Sequence, residues 1–117
     1  MSRYMGGVDT GIAKAPRRSH RRPDGLSYVY FIRAMTLGHI KIGWALCPFS
    51  RLATLQIACP DELELLGVIV TDDAATTEGH YHQRFIAHRI RGEWFRGAPE
   101  LLACIRADAK PWALIDG

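Results

Sequence analysis

A chain of 117 residues with 48% hydrophobic and 23% charged residues suits one small globular domain with a modest core. Its three cysteines, Cys47, Cys59 and Cys104, contain no Cys-x-x-Cys pair, which argues against a disulfide framework and a cysteine-rich zinc site; they are expected reduced and packed. No apolar run is long enough to span a bilayer and the N-terminus lacks the apolar stretch of a secretory signal, so no membrane association and a cytoplasmic location are expected.

The net charge of +3 is unevenly spread. Up to Asp24, six Lys or Arg stand against two Asp, a net of +4, which leaves −1 for the rest of the chain. This segment, residues 1–24, has few large apolar side chains and carries the run Arg17-Arg18-Ser19-His20-Arg21-Arg22. It cannot bury enough surface to order itself and is expected to be a disordered basic arm. Arg17, Arg18, Arg21 and Arg22 either solvate the chain or contact nucleic-acid phosphates. Residues 25–117 form the expected folded domain.

Tyr28-Val29-Tyr30-Phe31-Ile32 and His39-Ile40-Lys41-Ile42-Gly43 are short runs rich in β-branched and aromatic residues, parted by a loop with Gly38. They predict a hairpin over about Leu26 to Trp44. Alternation puts Tyr28 and Tyr30 on one face and Val29 and Phe31 on the other. Pro48 opens a helix to about Ala58, with Phe49, Leu52, Leu55 and Ala53 inward and Arg51 beside that stripe. A phenol, an amine (Lys41) and a guanidinium (Arg51) can thus converge on one cleft.

Cys59-Pro60 ends the helix, and Leu63 to Val70 reads as a strand buried on both faces, central or covered by helices. Thr71-Asp72-Asp73 offers N-caps for a helix from about Ala74 to Ile90. Its inward side is expected to carry Tyr81, Phe85, Ile86 and Ile90, with Glu78, His82 and Arg89 along one edge. Gly92-Glu93-Trp94-Phe95 breaks the helix and returns two aromatics to the core, and Pro99 to about Asp108 makes a last helix with Leu101, Leu102 and Ile105 inward. A hairpin plus one strand with helices packed on it is an α+β sandwich.

Tyr28-Val29-Tyr30, Lys41-Ile42-Gly43, Pro48-Phe49-Ser50-Arg51-Leu52, Glu78-Gly79-His80-Tyr81-His82 and Gly92-Glu93-Trp94-Phe95 follow one another in an order that resembles the GIY-YIG nuclease superfamily, in its phage-type branch. The resemblance spans roughly Ser27 to Arg96. It implies a small three-stranded antiparallel sheet flanked by helices in the order β-β-α-β-α-α, and a metal-dependent endonuclease that hydrolyses DNA phosphodiesters. Glu78 would hold Mg²⁺ or Mn²⁺, whose preference is for hard oxygen ligands. Tyr30 matches the tyrosine that activates the attacking water or lies beside it, and Lys41 stands where a second tyrosine is usual, a place where it would act as general base if the metal, Arg51 and partial burial favour its neutral form. Arg51 matches the arginine on the scissile phosphate.

Each residue also has a plainer reading. Glu78 is otherwise an exposed helical glutamate, Tyr30 a packing residue, Lys41 an edge-strand lysine and Arg51 half of a surface ion pair. His82 would orient Tyr30 or the water, accept its proton, or serve as a satisfied core group. A zinc site from Glu78, His80 and His82 is disfavoured, because on a helix His80 points away from the other two. Glu93 is left open between a structural hydrogen bond and the site's edge. The absence of any asparagine departs from the superfamily's pattern. With DNA as partner and no room for a recognition domain, selectivity would be weak or supplied by dimerisation or a targeting protein. The alternative is a module that kept the fold and binds nucleic acid without cutting it.

Overall fold

The computed structural model describes residues 25–113; the basic arm with Arg17, Arg18, Arg21 and Arg22 lies outside the described residues. Five strands and three helices follow in chain order: β1 (Ser27–Ala34), β2 (Ile40–Ala45), α1 (Pro48–Ala58), β3 (Leu63–Thr71), α2 (Ala74–Arg84), β4 (Arg89–Arg91), β5 (Trp94–Phe95) and α3 (Pro99–Asp108), with a 3₁₀ turn over Ile86–His88 before β4. The strands form one antiparallel sheet in the order β3-β1-β2-β5-β4. Among the described residues no helix is long and apolar enough to cross a membrane.

β1 is central because its side chains are apolar or aromatic on both faces. Val29 and Phe31 sit in a cluster with Ile40, Ile42, Phe85, Phe95, Leu101 and Ile105, the side covered by α2 and α3. Tyr28, Tyr30 and Ile32 lie in a second cluster with Val68, Leu52 and Leu55, the side covered by α1. The expected division of phenols from Val29 and Phe31 therefore holds. The strand expected to be buried on both faces, β3, lies instead at the edge of the sheet, with Glu64 and Val70 exposed. Its outer rim is partly closed by Lys110, which exchanges two backbone hydrogen bonds with Val68 at 2.8 and 2.9 Å.

The expected three-stranded sheet is corrected to five strands. The helix expected to reach Ile90 stops at Arg84: the Phe85 N–H still bonds to the Tyr81 carbonyl (3.1 Å), but the next turn tightens, with His88 N–H on the Phe85 carbonyl at 2.8 Å. The chain then extends and reverses at Gly92, whose φ of +55° is one that side-chain-bearing residues rarely adopt. The β4–β5 hairpin so formed docks on β2, setting Phe95 opposite Ile40 and Trp94 opposite Lys41. Phe95 is fully buried, whereas Ile86 and Ile90, expected inward, are 49% and 44% exposed.

In α1 the bounds are as expected but the inward stripe is rotated. Pro48 is fully buried and takes the inward place one turn before Leu52, so Phe49 turns out to solvent at 60% exposure and Ala53 with it. The cysteines are all free; Cys104 is buried and Cys59 half-buried, but Cys47, expected to be packed, is exposed at the helix N-cap. At α2 the Asp73 carboxylate accepts from Thr76 N–H at 3.3 Å, the cap expected there. α3 packs Leu101, Leu102 and Ile105 as expected, together with Cys104.

This packing predicts that Phe95→Ala, which empties a fully buried position, costs about 3–5 kcal/mol, while Phe49→Ser stays within about 0.5 kcal/mol. Denaturant titrations of both variants check this. Equal losses would mean that Phe49 does pack as the helical periodicity first suggested.

Candidate functional site

The site forms where the sheet stops being continuous. β5 pairs with β2 at Ile40 and Lys41, and a last hydrogen bond runs from Ile42 N–H to the Glu93 carbonyl at 2.9 Å. Beyond it the rim of β2 at Gly43 faces side chains rather than another strand. Tyr30 of β1 is the cross-strand partner of Gly43. Its phenol lies across the glycine so closely that a Cβ there would overlap the Tyr30 hydroxyl and ring carbon, with Glu93 Oε1 only 3.0 Å away. Glycine in this strand is therefore a requirement of close approach.

Groups reach this rim from both faces of the sheet. From the α1 side, an Arg51 Nη1 hydrogen points at the Tyr30 oxygen at 3.5 Å. From the α2 side come Glu78 and His82, four residues apart on one helical face. The two-residue turn of the β4–β5 hairpin supplies Glu93, whose Oε1 is 3.1 Å from Lys41 Nζ; that ammonium also stands 5.7 Å from the Trp94 ring centroid. Ligand atoms of Glu78, His82 and Glu93 all lie within 4.8 Å of one another.

His82 is held in one orientation. Its Nε2 is 2.7 Å from the Ile42 carbonyl and its ring packs on Phe95 at 5.0 Å between centroids. A carbonyl only accepts, so Nε2 carries the hydrogen, and in the neutral ring the lone pair is left on Nδ1. Such a backbone-anchored imidazole is a common support for a ligand or a proton acceptor.

The two carboxylates are crowded together. Burial raises Glu78 from its usual 4.5 to about 8, helped by the charge of Glu93 and a hydrogen bond shared with it, against the opposing pull of Lys41 and Arg51. Glu78 Oε2 is buried and has no hydrogen-bond partner. A carboxyl that keeps its proton beside a second carboxylate, with one oxygen orphaned, is an arrangement that a divalent cation would relieve, because it would satisfy the oxygen and replace the proton. The two carboxylates are the hard oxygen donors that Mg²⁺ or Mn²⁺ prefers. Tyr30 is pushed the same way: burial raises its phenol well above its ordinary value, Arg51 opposing and Glu93 and Glu78 adding.

Tyr30, Lys41, Arg51, Glu78 and His82 thus come to one place, as their sequence positions led us to expect. Tyr28 does not join them; its ring meets Trp112 edge-on at 5.1 Å. Arg89, expected in line with Glu78 and His82, is on β4 and bonds through Nε to the Gly92 carbonyl at 2.9 Å. His80 is exposed and outside the cluster. Sequence reasoning left Glu93 undecided and passed over Gly43. The signal for both was a turn glycine next to Glu93 and a glycine inside an otherwise bulky strand.

The family model that matches this chain is the T5orf172 domain, over residues 27–109. It is a phage-associated, nucleic-acid-related domain. The expected placement in the GIY-YIG superfamily is corrected by this match, since the model spanning those motifs is T5orf172 and no GIY-YIG model matches. The motifs that suggested it are three to five residues each, too short to fix a family between them. No curated protein and no solved structure matches the chain.

The Glu78–Glu93 pair makes stability depend on pH. Below about 4.5 the Glu78 carboxyl is protonated in both folded and unfolded chains; between 4.5 and about 8 only the folded chain holds that proton. Stability from this group is therefore full at the acid end, is lost as pH rises through that window, and is level above it. Glu78→Gln is expected to flatten this decline in metal-free thermal melts. Added Mn²⁺ should raise the melting temperature of the wild type increasingly across the same window, since cation and proton compete for the same oxygens. Superimposable pH profiles for the two proteins would show that Glu78 is not the titrating group.

Proposed function

Because the chain belongs to the T5orf172 domain family, we propose that it is a metal-dependent endonuclease hydrolysing DNA phosphodiesters at the rim of β2. The observation that carries this reading is the buried, unpartnered Glu78 Oε2 beside the Glu93 carboxylate. Glu78, with Glu93 at its side, would hold Mg²⁺ or Mn²⁺. When bound, the cation supplies positive charge for the phosphate and the leaving oxygen.

The chain's own groups do the rest. With the carboxylate oxygens the ones that would hold a hard cation, His82 Nδ1 is free to take the proton of the attacking water; Nε2, fixed on the Ile42 carbonyl, keeps the ring aimed. Water oxygen bonds to phosphorus as one ester P–O bond breaks. Tyr30, whose burial keeps its proton on, acts as a neutral phenol that positions the water and does not serve as the base. Arg51, exposed on α1 and within reach of the Tyr30 oxygen, presents its remaining N–H groups to the phosphate. Lys41 holds Glu93 in place through their 3.1 Å ion pair and adds to the positive field at the nucleophile.

A nucleic-acid-binding module without catalysis would use the same cations. The test is nicking of supercoiled plasmid with Mg²⁺ or Mn²⁺. Wild-type protein should convert it to open circles, EDTA should stop this, and Glu78→Gln should bind DNA but not nick it. Tyr30→Phe is expected to lower the cleavage rate by about 10²-fold, the scale for one positioned hydrogen-bonding group, while DNA affinity changes by less than about twofold. A wild type that never nicks leaves the binding module as the function; affinity lost along with rate in Tyr30→Phe would make that residue a binding group.

A further inference from the structure

The β4–β5 hairpin carries a second feature that the catalytic reading does not use. β4 is the outermost strand of the sheet, and all three of its residues, Arg89, Ile90 and Arg91, are exposed. Arg96, just after β5, is exposed as well. Among the described residues none of these three guanidiniums has a carboxylate within ion-pairing distance. The hairpin's own acid, Glu93, is turned away to Lys41. Charges on an edge strand ordinarily serve to block strand addition, and for that a mobile side chain suffices.

Two of these arginines are not mobile in that sense. Arg89 Nε donates to the Gly92 carbonyl at 2.9 Å, and Arg96 Nη2 donates to the Ala87 carbonyl at 3.0 Å. Arg89 spends one N–H on the hairpin's turn and Arg96 one on the 3₁₀ turn before β4, and each keeps its other N–H groups for a phosphate. Arg91, with no hydrogen-bond partner among the described residues, stands opposite Trp94 and two residues from Glu93. The unpaired positive charge is thus tied by a rigid two-residue turn to the carboxylate pair of the site.

We infer that the outer edge of the β4–β5 hairpin, where a bulge sets Arg89 across from Phe95 and Arg91 across from Trp94, seats the sugar-phosphate backbone of duplex DNA beside the site through Arg89, Arg91 and Arg96, holding the strand in register without touching the reacting phosphate. This rests on the proposed nuclease reading for its register and on charge complementarity for its partner. An acidic protein would meet the same arginines, but it lacks the regular phosphate spacing that gives a defined salt slope.

The experiment is a salt titration of duplex DNA binding by the full chain with metal chelated. Arg89→Gln with Arg91→Gln is expected to flatten the slope of log affinity against log salt by about 1.8, from about 0.9 per phosphate contact. The pair Arg89→Lys with Arg91→Lys should keep most of the slope. Arg91→Gln alone breaks no hydrogen bond of the hairpin, and should flatten it by about 0.9 even if the double variant folds poorly. Slopes equal to wild type in Arg91→Gln and the double variant overturn the surface, as does a wild type with no salt-dependent binding. A flattened slope in a protein that never nicks keeps the surface and removes the nuclease reading, so the two fail separately.

Discussion

The structure depends on one close approach, that of the Tyr30 phenol across Gly43. β1 is buried on both faces, so a tyrosine in its middle has no route to solvent along its own strand. Its hydroxyl reaches a useful place only by crossing the neighbouring strand, and only where that strand has no side chain in the way. A single methyl at position 43 would displace the phenol, and with it the contact to Arg51 of α1 and the proximity to Glu93 of the hairpin turn. One missing Cβ thus decides that residues from both faces of a sheet can share a site at all. That is an unusual constraint, because a sheet normally keeps its two faces apart.

The second constraint is where the hairpin ends. Had β5 continued along β2, its backbone would have covered Gly43 and closed the rim. It pairs at Ile40 and Lys41 and then turns at Gly92 and Glu93, so the turn delivers a carboxylate where the next ladder rung would stand. The fully buried Phe95 anchors the hairpin in the core and at the same time supports the His82 ring. Core packing and site geometry are therefore set by the same residue, and neither can relax without the other.

Most of the elements were legible in the sequence because their signals are local. Pro48 and Asp73 mark helix starts, Cys59-Pro60 an end, and alternation divides Tyr28 and Tyr30 from Val29 and Phe31. What was not legible is decided by contacts distant in sequence. Residues 86–95 contain Ile86 and Ile90 at helical spacing, but the burial of Phe95 against Ile40 outweighs that pattern and draws the segment into the sheet. The inward stripe of α1 was misplaced for a similar reason: Pro48 was read as a helix start and not as a core residue. The hairpin and the helix start brought Tyr30, Lys41 and Arg51 together and i, i+4 spacing paired Glu78 with His82; that the two groups meet was implied only by the resemblance. Glu93 could not be assigned, since its position depends on the unseen pairing of β5 with β2.

The electrostatic balance of the site follows from this geometry. Lys41 and Arg51 bring two positive charges to a rim where Glu78 and Glu93 bring two negative ones, yet the pairing is uneven. Lys41 is committed to Glu93 at 3.1 Å, and Arg51 points at the Tyr30 oxygen, so Glu78 is left without an ion-pair partner. Burial then makes its charged form costly, and the carboxyl takes up a proton well above its ordinary range. A site that needed only structure would have paired Glu78 or replaced it with an apolar residue, since breaking even between buried charges is hard and an apolar substitute often packs as well. An acid held where the fold penalises its ionisation, with Lys41 and Arg51 only partly offsetting that cost, is one whose charged form a nearby cation would favour.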